Sequence, residues 1–208
     1  MSPRGFHENE KKQIKEALIQ AGRNHFGSNG LKKTNIKDLT KDAGIAQGSF
    51  YTFFESKELL YFRIMELDEE ELKEKVAEAF LSEGDMHAEQ FARILLYIFS
   101  LLDNYPLIRR LFLTDEYEQL VRKLPADVLA EHAHNDAMSL SPLLASLQEE
   151  GKLDPSLDHQ VVSGVVRALF LTLAHKKEIG LEIFENCLVF MTEAVADRIF
   201  RNGKKSHD

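Results

Sequence analysis

Apolar residues recur at helical spacing along almost the whole chain, and no stretch sustains the two-residue alternation of a strand. Between Asn9 and Phe26 the residues Ile14, Leu18, Ala21, Gly22, His25 and Phe26 form one stripe, the face of a helix lying on a core. Gly27-Ser28-Asn29-Gly30 predicts its end, since glycine and asparagine tolerate the left-handed conformation of a C-cap. A second helix opens at Asn35, a favourable N-cap with Asp38 three residues on in a capping-box-like arrangement, and closes at Ala43-Gly44. A third, also short, covers Ala46 to Phe53. Ser56 then caps a long helix through Leu59, Leu60, Phe62, Ile64 and Leu67 towards Phe80. Beyond the break Ser82-Glu83-Gly84-Asp85, helices are expected at about 87–103, 106–123, 126–150, 157–177 and 181–201, with Pro106, Pro125 and Pro155 near three of the starts. Gly151 and Gly180 mark stops. The expected fold class is all-α, with about nine helices.

Two stretches stand out from this pattern. Residues 35–60 are two short helices with Gly44 at the tight turn, followed by a capped third, which is the outline of a helix-turn-helix. Near the other end, Val161, Val162, Val165, Val166, Ala168, Leu169, Phe170, Leu173 and Ala174 leave almost no polar face, and a helix apolar all round is expected to be buried on all sides. The final helix carries the stripe Ile183, Phe184, Cys187, Leu188, Met191, Ala194, Val195 and Ile199. Together these two helices predict half of a four-helix bundle across a two-fold axis, making the chain a homodimer.

Composition narrows the class. With 208 residues, 44% hydrophobic and 29% charged, the chain has the balance of a soluble globular protein. The one cysteine, Cys187, excludes an internal disulfide framework, and the polar N-terminus lacks the apolar core of a signal peptide. The runs Ile94–Leu102 and Val161–Ala174 fall short of a membrane span, so a cytoplasmic protein without membrane contact is expected. The net charge of −8 hides a division. Residues 1–60 hold ten Lys/Arg against seven Asp/Glu, a net of +3, whereas the remainder carries 16 basic and 27 acidic residues, a net of −11. A basic head on an acidic body suits a protein of which only the head meets phosphate.

The run Leu18 to Leu60 resembles the DNA-binding domain of the TetR/AcrR family of transcriptional regulators. The resemblance lies in Leu18-Ile19, Ala21-Gly22, Phe26 and Gly30; in Thr34-Asn35-Ile36-Lys37-Asp38-Leu39; in Ala43-Gly44-Ile45-Ala46-Gln47-Gly48-Ser49-Phe50-Tyr51; and in Phe54-Glu55-Ser56-Lys57-Glu58-Leu59-Leu60. It implies an N-terminal three-helix DNA-binding domain over residues 1–60 and a helical effector-binding and dimerisation domain over 61–208. It further implies a double-stranded operator of palindromic form, dimerisation through the last two helices, and release of a repressor by a small-molecule effector. A recognition helix in the major groove needs small or hydrogen-bonding outward residues, which Gln47, Gly48, Ser49 and Thr52 provide, while Phe50 and Phe53 face inward. The resemblance gives Tyr51 a phosphate contact. Lys57, just inside a helix N-terminus, is expected to serve phosphate together with free N–H groups, and Asn35 and Lys37 at the start of the second helix complete the DNA-binding set. Ala46 departs from the family's Ser/Thr cap, Thr52-Phe53 from its more polar pair, and His25 from its aliphatic residue.

By the same resemblance the body encloses a pocket for an apolar or amphipathic effector, lined by Phe91, Leu95, Phe99, Phe112, Tyr117, Met138 and Phe170. His132, His134 and Asp136 suggest a metal, but His134 points away from the helix face the other two share, so no metal and no cofactor is expected. Nor is there a nucleophile elbow, a phosphate-binding glycine loop or a zinc-protease motif, so an enzyme is not expected. The competing classes are an enzyme using the helical pocket and an adaptor working through its dimer face; the basic head argues against the adaptor.

Overall fold

The computed structural model describes residues 7–82, 84–133 and 140–200. Among these, eleven α-helices and three short 310 segments are present and no strand. Helix α1 (Glu8–Lys33) is followed by α2 (Ile36–Asp42), a 310 segment (Gln47–Thr52) and α3 (Lys57–Ser82). Then come α4 (Ala88–Leu101), α5 (Pro106–Leu113), α6 (Glu116–Val121), α7 (Ala126–Ala133) and α8 (Ser141–Glu149). The series closes with α9 (His159–Thr172), α10 (Lys176–Ile179) and α11 (Phe184–Phe200).

The chain forms two compact units, and neither is continuous in sequence. One comprises residues up to Glu70 together with Tyr105–His134; the other comprises Glu71–Asn104 with the remainder. In the first unit the stripe of α1 is buried as expected at Ile14, Leu18, Ala21, Gly22 and Phe26. It packs with Leu39, Phe50, Phe54, Leu60, Tyr61, Ile64 and Met65, and the same core takes in Leu107, Leu120 and Leu124. His25 does not join that core: its Nε2 lies 2.7 Å from Asp42 Oδ2, tying α1 to the end of α2.

Helix α1 runs past the predicted stop. Gly27, Ser28 and Asn29 stay helical, and the break falls at Gly30 (φ 77°, ψ 173°), a backbone state that a side chain would strain. Thr34 is buried and closes the end, its Oγ1 donating to the carbonyl of Gly30 at 2.8 Å and of His25 at 3.1 Å. The single helix expected over 106–123 is divided between α5 and α6. There the Thr114 hydroxyl takes the Arg110 carbonyl (2.8 Å) and accepts from the Glu116 amide (3.2 Å), a local exchange of side-chain for helical bonds.

In the second unit α4 buries Phe91, Ala92, Ile94, Leu95, Ile98 and Phe99 on one broad face and packs against α11, while α9 packs against both α8 and α11. The rings of Phe99 and Phe170 meet edge-on at 4.4 Å, and Phe91 meets Phe80 and Phe200. Only one face of α9 is buried in the chain, at Val162, Val166, Leu169 and Phe170; Val161 (61% exposed), Val165 and Leu171 face outward. On α11 the buried line is Phe184, Leu188, Thr192, Ala196 and Ile199, leaving Ile183, Val189 and Phe190 (72% exposed) outside. Leu169 and Leu188 are therefore residues of the chain's own core. Among the described residues no helix is long and apolar enough to cross a membrane.

Candidate nucleic-acid interface

The reading surface is assembled from α2, the turn after it and the 310 segment. Asn35 caps α2 as expected, its Oδ1 accepting from the Asp38 amide at 3.0 Å. Asp38 answers with its carboxylate on the Asn35 side-chain amide, so the pair is joined side chain to side chain. The helix ends at Ala43, and Gly44 (φ 71°) turns the chain so that the Ile45 amide reaches the Thr40 carbonyl at 2.9 Å. Lys37 and Asn35 are exposed at the start of α2.

The second element begins at Ala46, whose extended backbone offers no side-chain cap. With the cap missing and Gly48 in the first turn, the segment takes 310 rather than α hydrogen bonding: the Ser49 amide donates to Ala46 and the Phe53 amide to Phe50, both at 2.9 Å. Phe50 is wholly buried and anchors it, packed beside the Phe54 ring, and Phe53 is partly buried against the same core. Outward lie Gln47, Gly48, Tyr51 (60% exposed) and Thr52, with Ser49 half-buried. Around Gly48 the space is open, with nothing within 4 Å of where a Cβ would stand. The structure thus brings Gln47, Gly48, Ser49, Tyr51 and Thr52 onto one short exposed element.

Lys57, for which a phosphate contact is expected, reaches back into its own chain. Its ammonium donates to the carbonyls of Thr34 at 2.7 Å and Leu31 at 2.8 Å, with Lys32 at 3.5 Å. Burial pulls its pKa below the usual lysine value and nearby Lys123 adds to the effect, with Glu58 opposing. Beside it, burial pushes Glu58 up. The hydrogen bond from Lys123 (2.8 Å), one to its own backbone and the charges of Lys123 and Lys57 outweigh that, so the carboxyl sits below the usual glutamate value.

Sequence reasoning missed a second polar assembly in the same unit. Glu116, nearly buried, accepts from Arg110 through Nε (3.0 Å) and Nη2 (2.6 Å), and from the Tyr61 hydroxyl at 3.1 Å. Burial, with the Glu116 carboxylate adding to it, raises the Tyr61 phenol well above its ordinary value. A Cβ on Gly30 would run into the Glu116 carboxylate and the Arg110 guanidinium. The available signal was Arg110 and Glu116 on either side of Thr114, a residue apt to interrupt a helix.

Expected effector-lining residues occur in both units. Phe91, Leu95, Phe99 and Phe170 are buried in the second unit, whereas Tyr117 belongs to the first and is 51% exposed. The side chain of Phe112 and all of Met138 lie outside the described residues, as do His134, Asp136 and the side chain of His132. Among the described residues no three His, Cys, Asp or Glu are placed to hold a metal. Two grooves of about 450 Å³ occur in the second unit. One is lined by Lys75, Glu78, Ala79, Arg93, Ile94 and Tyr97, and the other, largely apolar, by Thr172, Ile179, Ile183, Cys187, Phe190 and Met191.

A capped short helix, a glycine turn and a second short element that buries one phenylalanine and exposes Gln47, Ser49, Tyr51 and Thr52 define a helix-turn-helix, DNA-binding protein. Residues 18–64 match the family model described as bacterial regulatory proteins, tetR family. The HTH-type transcriptional regulator YdgC of Bacillus subtilis (strain 168) is 27% identical over 73% of this chain and 74% of its own length. YvdT of the same organism is 43% identical over 51 residues, 24% of this chain and 26% of its own. A TetR family transcription regulator from Marinobacter aquaeolei VT8 shares the fold at a TM-score of 0.65 and 15% identity, over 93% of this chain and 98% of that one. Residues 18–64 are thus a DNA-binding head of the tetR family type, and the chain as a whole shares the fold of TetR-family transcription regulators.

Proposed function

We propose that this regulator is a repressor that binds a near-palindromic operator as a homodimer and is released by a small apolar or amphipathic effector. The observation that carries the dimer is the outward apolar face of α9 and α11. Val161, Val165 and Leu171 on one helix and Ile183, Val189 and Phe190 on the other form too much exposed apolar surface for a helix pair with no partner. An isologous pair of α9 and α11 covers this surface, and its two-fold axis presents two heads to two inverted half-sites. Within each head Gln47 reads a base edge. Asn35, Lys37, Ser49, Tyr51 and Thr52 contact the backbone and groove around it, and Gly48 allows close approach.

The effector is taken up in the second unit near Phe91, Leu95, Phe99 and Phe170, where an apolar molecule parts the paired rings. It favours a conformation that holds DNA poorly, so the two ligands weaken each other by the same factor. The deciding experiment selects bound duplexes from a random pool and measures the mass of the complex. An inverted repeat held by two chains is the expected result. A single unrepeated site held by one chain would refute the dimeric reading.

A further inference from the structure

Lys57 is the first residue of α3, and a helix N-terminus is a poor place for a cation unless something negative lies close by. What lies close by is the end of another helix. After the break at Gly30, α1 completes its last turn at Leu31–Lys33, and the carbonyls there have no helical partners of their own. The Lys57 ammonium has three N–H groups to give. It places two of them on the carbonyls of Leu31 and Thr34, at 2.8 and 2.7 Å. Thr34 is itself held by its hydroxyl on the Gly30 carbonyl, and the next residue is Asn35, the cap of α2. Between Thr34 and Lys57 lies the whole DNA-reading segment, so these bonds join its two ends.

We propose that Lys57 is a positioning residue for the DNA-reading surface: its ammonium fastens residues 31–34 to the first turn of α3 and so sets the start of α2. The inference rests on the reading of residues 35–52 as the DNA-contacting element. It does not depend on which operator is bound.

The test uses the full-length protein and two measurements. The first is amide hydrogen exchange without DNA, read at the Asp38 and Leu39 amides, which depend on the Asn35 cap. The second is the salt dependence of binding to a mixed-sequence duplex. Lys57→Met is expected to speed exchange at those amides by about tenfold or more, because the start of α2 opens locally; this result supports the proposal whether or not the slope of log K against log salt also falls. Lys57→Arg, which keeps a cationic donor, is expected to restore most of the protection. Where Lys57→Met fails to fold, Lys57→Gln, with a donor on a shorter stem, is read instead. Unchanged exchange with a slope shallower by about two units per dimer would make Lys57 a phosphate contact alone and overturn the proposal. Unchanged exchange with an unchanged slope overturns it as well. If the parent protein shows no salt-dependent duplex binding, the DNA reading fails on its own, and the exchange result still decides whether Lys57 holds α2.

Discussion

Gly30→Ala is a substitution for which the structure dictates a large local penalty in the head. Two separate effects act on it. The backbone at Gly30 has φ 77° and ψ 173°, a region open essentially to glycine alone, and an alanine there costs about 1–3 kcal/mol. The new methyl would also stand where the Glu116 carboxylate and Arg110 guanidinium now lie, so that pair must shift or part. Parting a fully buried pair costs about 3–5 kcal/mol. Here the Arg110 side chain is 31% exposed, and water can take over part of its hydration, which reduces the penalty to about 1–2 kcal/mol. The total is about 3 kcal/mol, which for a chain of this size lowers Tm by about 6–12 °C. A thermal melt measures the sum, and a double-mutant cycle with Glu116→Ala separates its parts. If the methyl and the carboxylate compete for one space, the double variant should be less destabilised than the two single losses added, by about 1 kcal/mol. Additive losses, or a loss from Gly30→Ala below about 1 kcal/mol, would show that the pair is not held against Gly30.

Three further outcomes are expected. Gln47→Ala should weaken binding to the selected operator by about 1–3 kcal/mol and relax preference at one base position per half-site, as read from a second selection; uniform loss with unaltered preference would move the reading face elsewhere. Phe190→Asp should yield a folded monomer in sedimentation, because that side chain is exposed in the single chain, whereas Leu188→Asp should unfold it, since Leu188 is buried; a dimeric Phe190→Asp protein would place the interface off α11. Glu58 has its folded pKa below the usual value, so its ionic contribution is present above the unfolded pKa and is lost as pH falls through the folded one. Lys123→Met should therefore lower Tm at neutral pH, by no more than about 1 kcal/mol in stability given the exposure of Lys123, and the gap should close in acid; a gap independent of pH would mean the pair is not ionic.

What was legible in the chain follows from how local the deciding forces are. The starts of α2 and α3 were readable because a single side chain sets each, Asn35 on the Asp38 amide and Ser56 on the Leu59 amide at 3.1 Å. Phe50 was readable as the inward residue because the short segment has one apolar side. The end of α1 was not, because a glycine, serine and asparagine that stop an isolated helix are kept helical here by packing and by the Thr34 closure beyond. The internal bonds of Lys57 were not readable for a similar reason. Its position at a helix N-terminus is a local signal for anions, and only the fold brings the carbonyls of Leu31 and Thr34 within reach. In α9 the apolar residues were seen but their facing was not. Val162, Val166 and Leu169 go to the chain's own core, while Val161, Val165 and Leu171 do not, and the run contains too few polar residues to mark the two sides.

The composition of the head's core leads to a stringent expectation. Leu107, Leu120 and Leu124 are buried against residues of α1 and α3, and Tyr61 and Glu58 each spend a hydrogen bond on the same segment, at Glu116 and Lys123. A fragment ending at Glu70 keeps every DNA-reading residue but loses all of these. Three leucines at about 1.5–3 kcal/mol each amount to several kcal/mol of burial. That is comparable with the entire stability of a typical domain, about 5–15 kcal/mol. Phe26 and Tyr61, whose rings meet at 5.0 Å in the intact core, would also lose cover from one side. Residues 1–70 alone should therefore show little cooperative unfolding by circular dichroism and should bind mixed-sequence duplex weakly despite carrying the basic residues. A sharp melt close to that of the whole chain would mean that residues 105–133 lie against the head without supporting it. In that case Lys123→Met should also prove nearly silent, and Gly30→Ala should keep only the cost of its backbone strain, since the rest of both effects acts through contacts with that same segment.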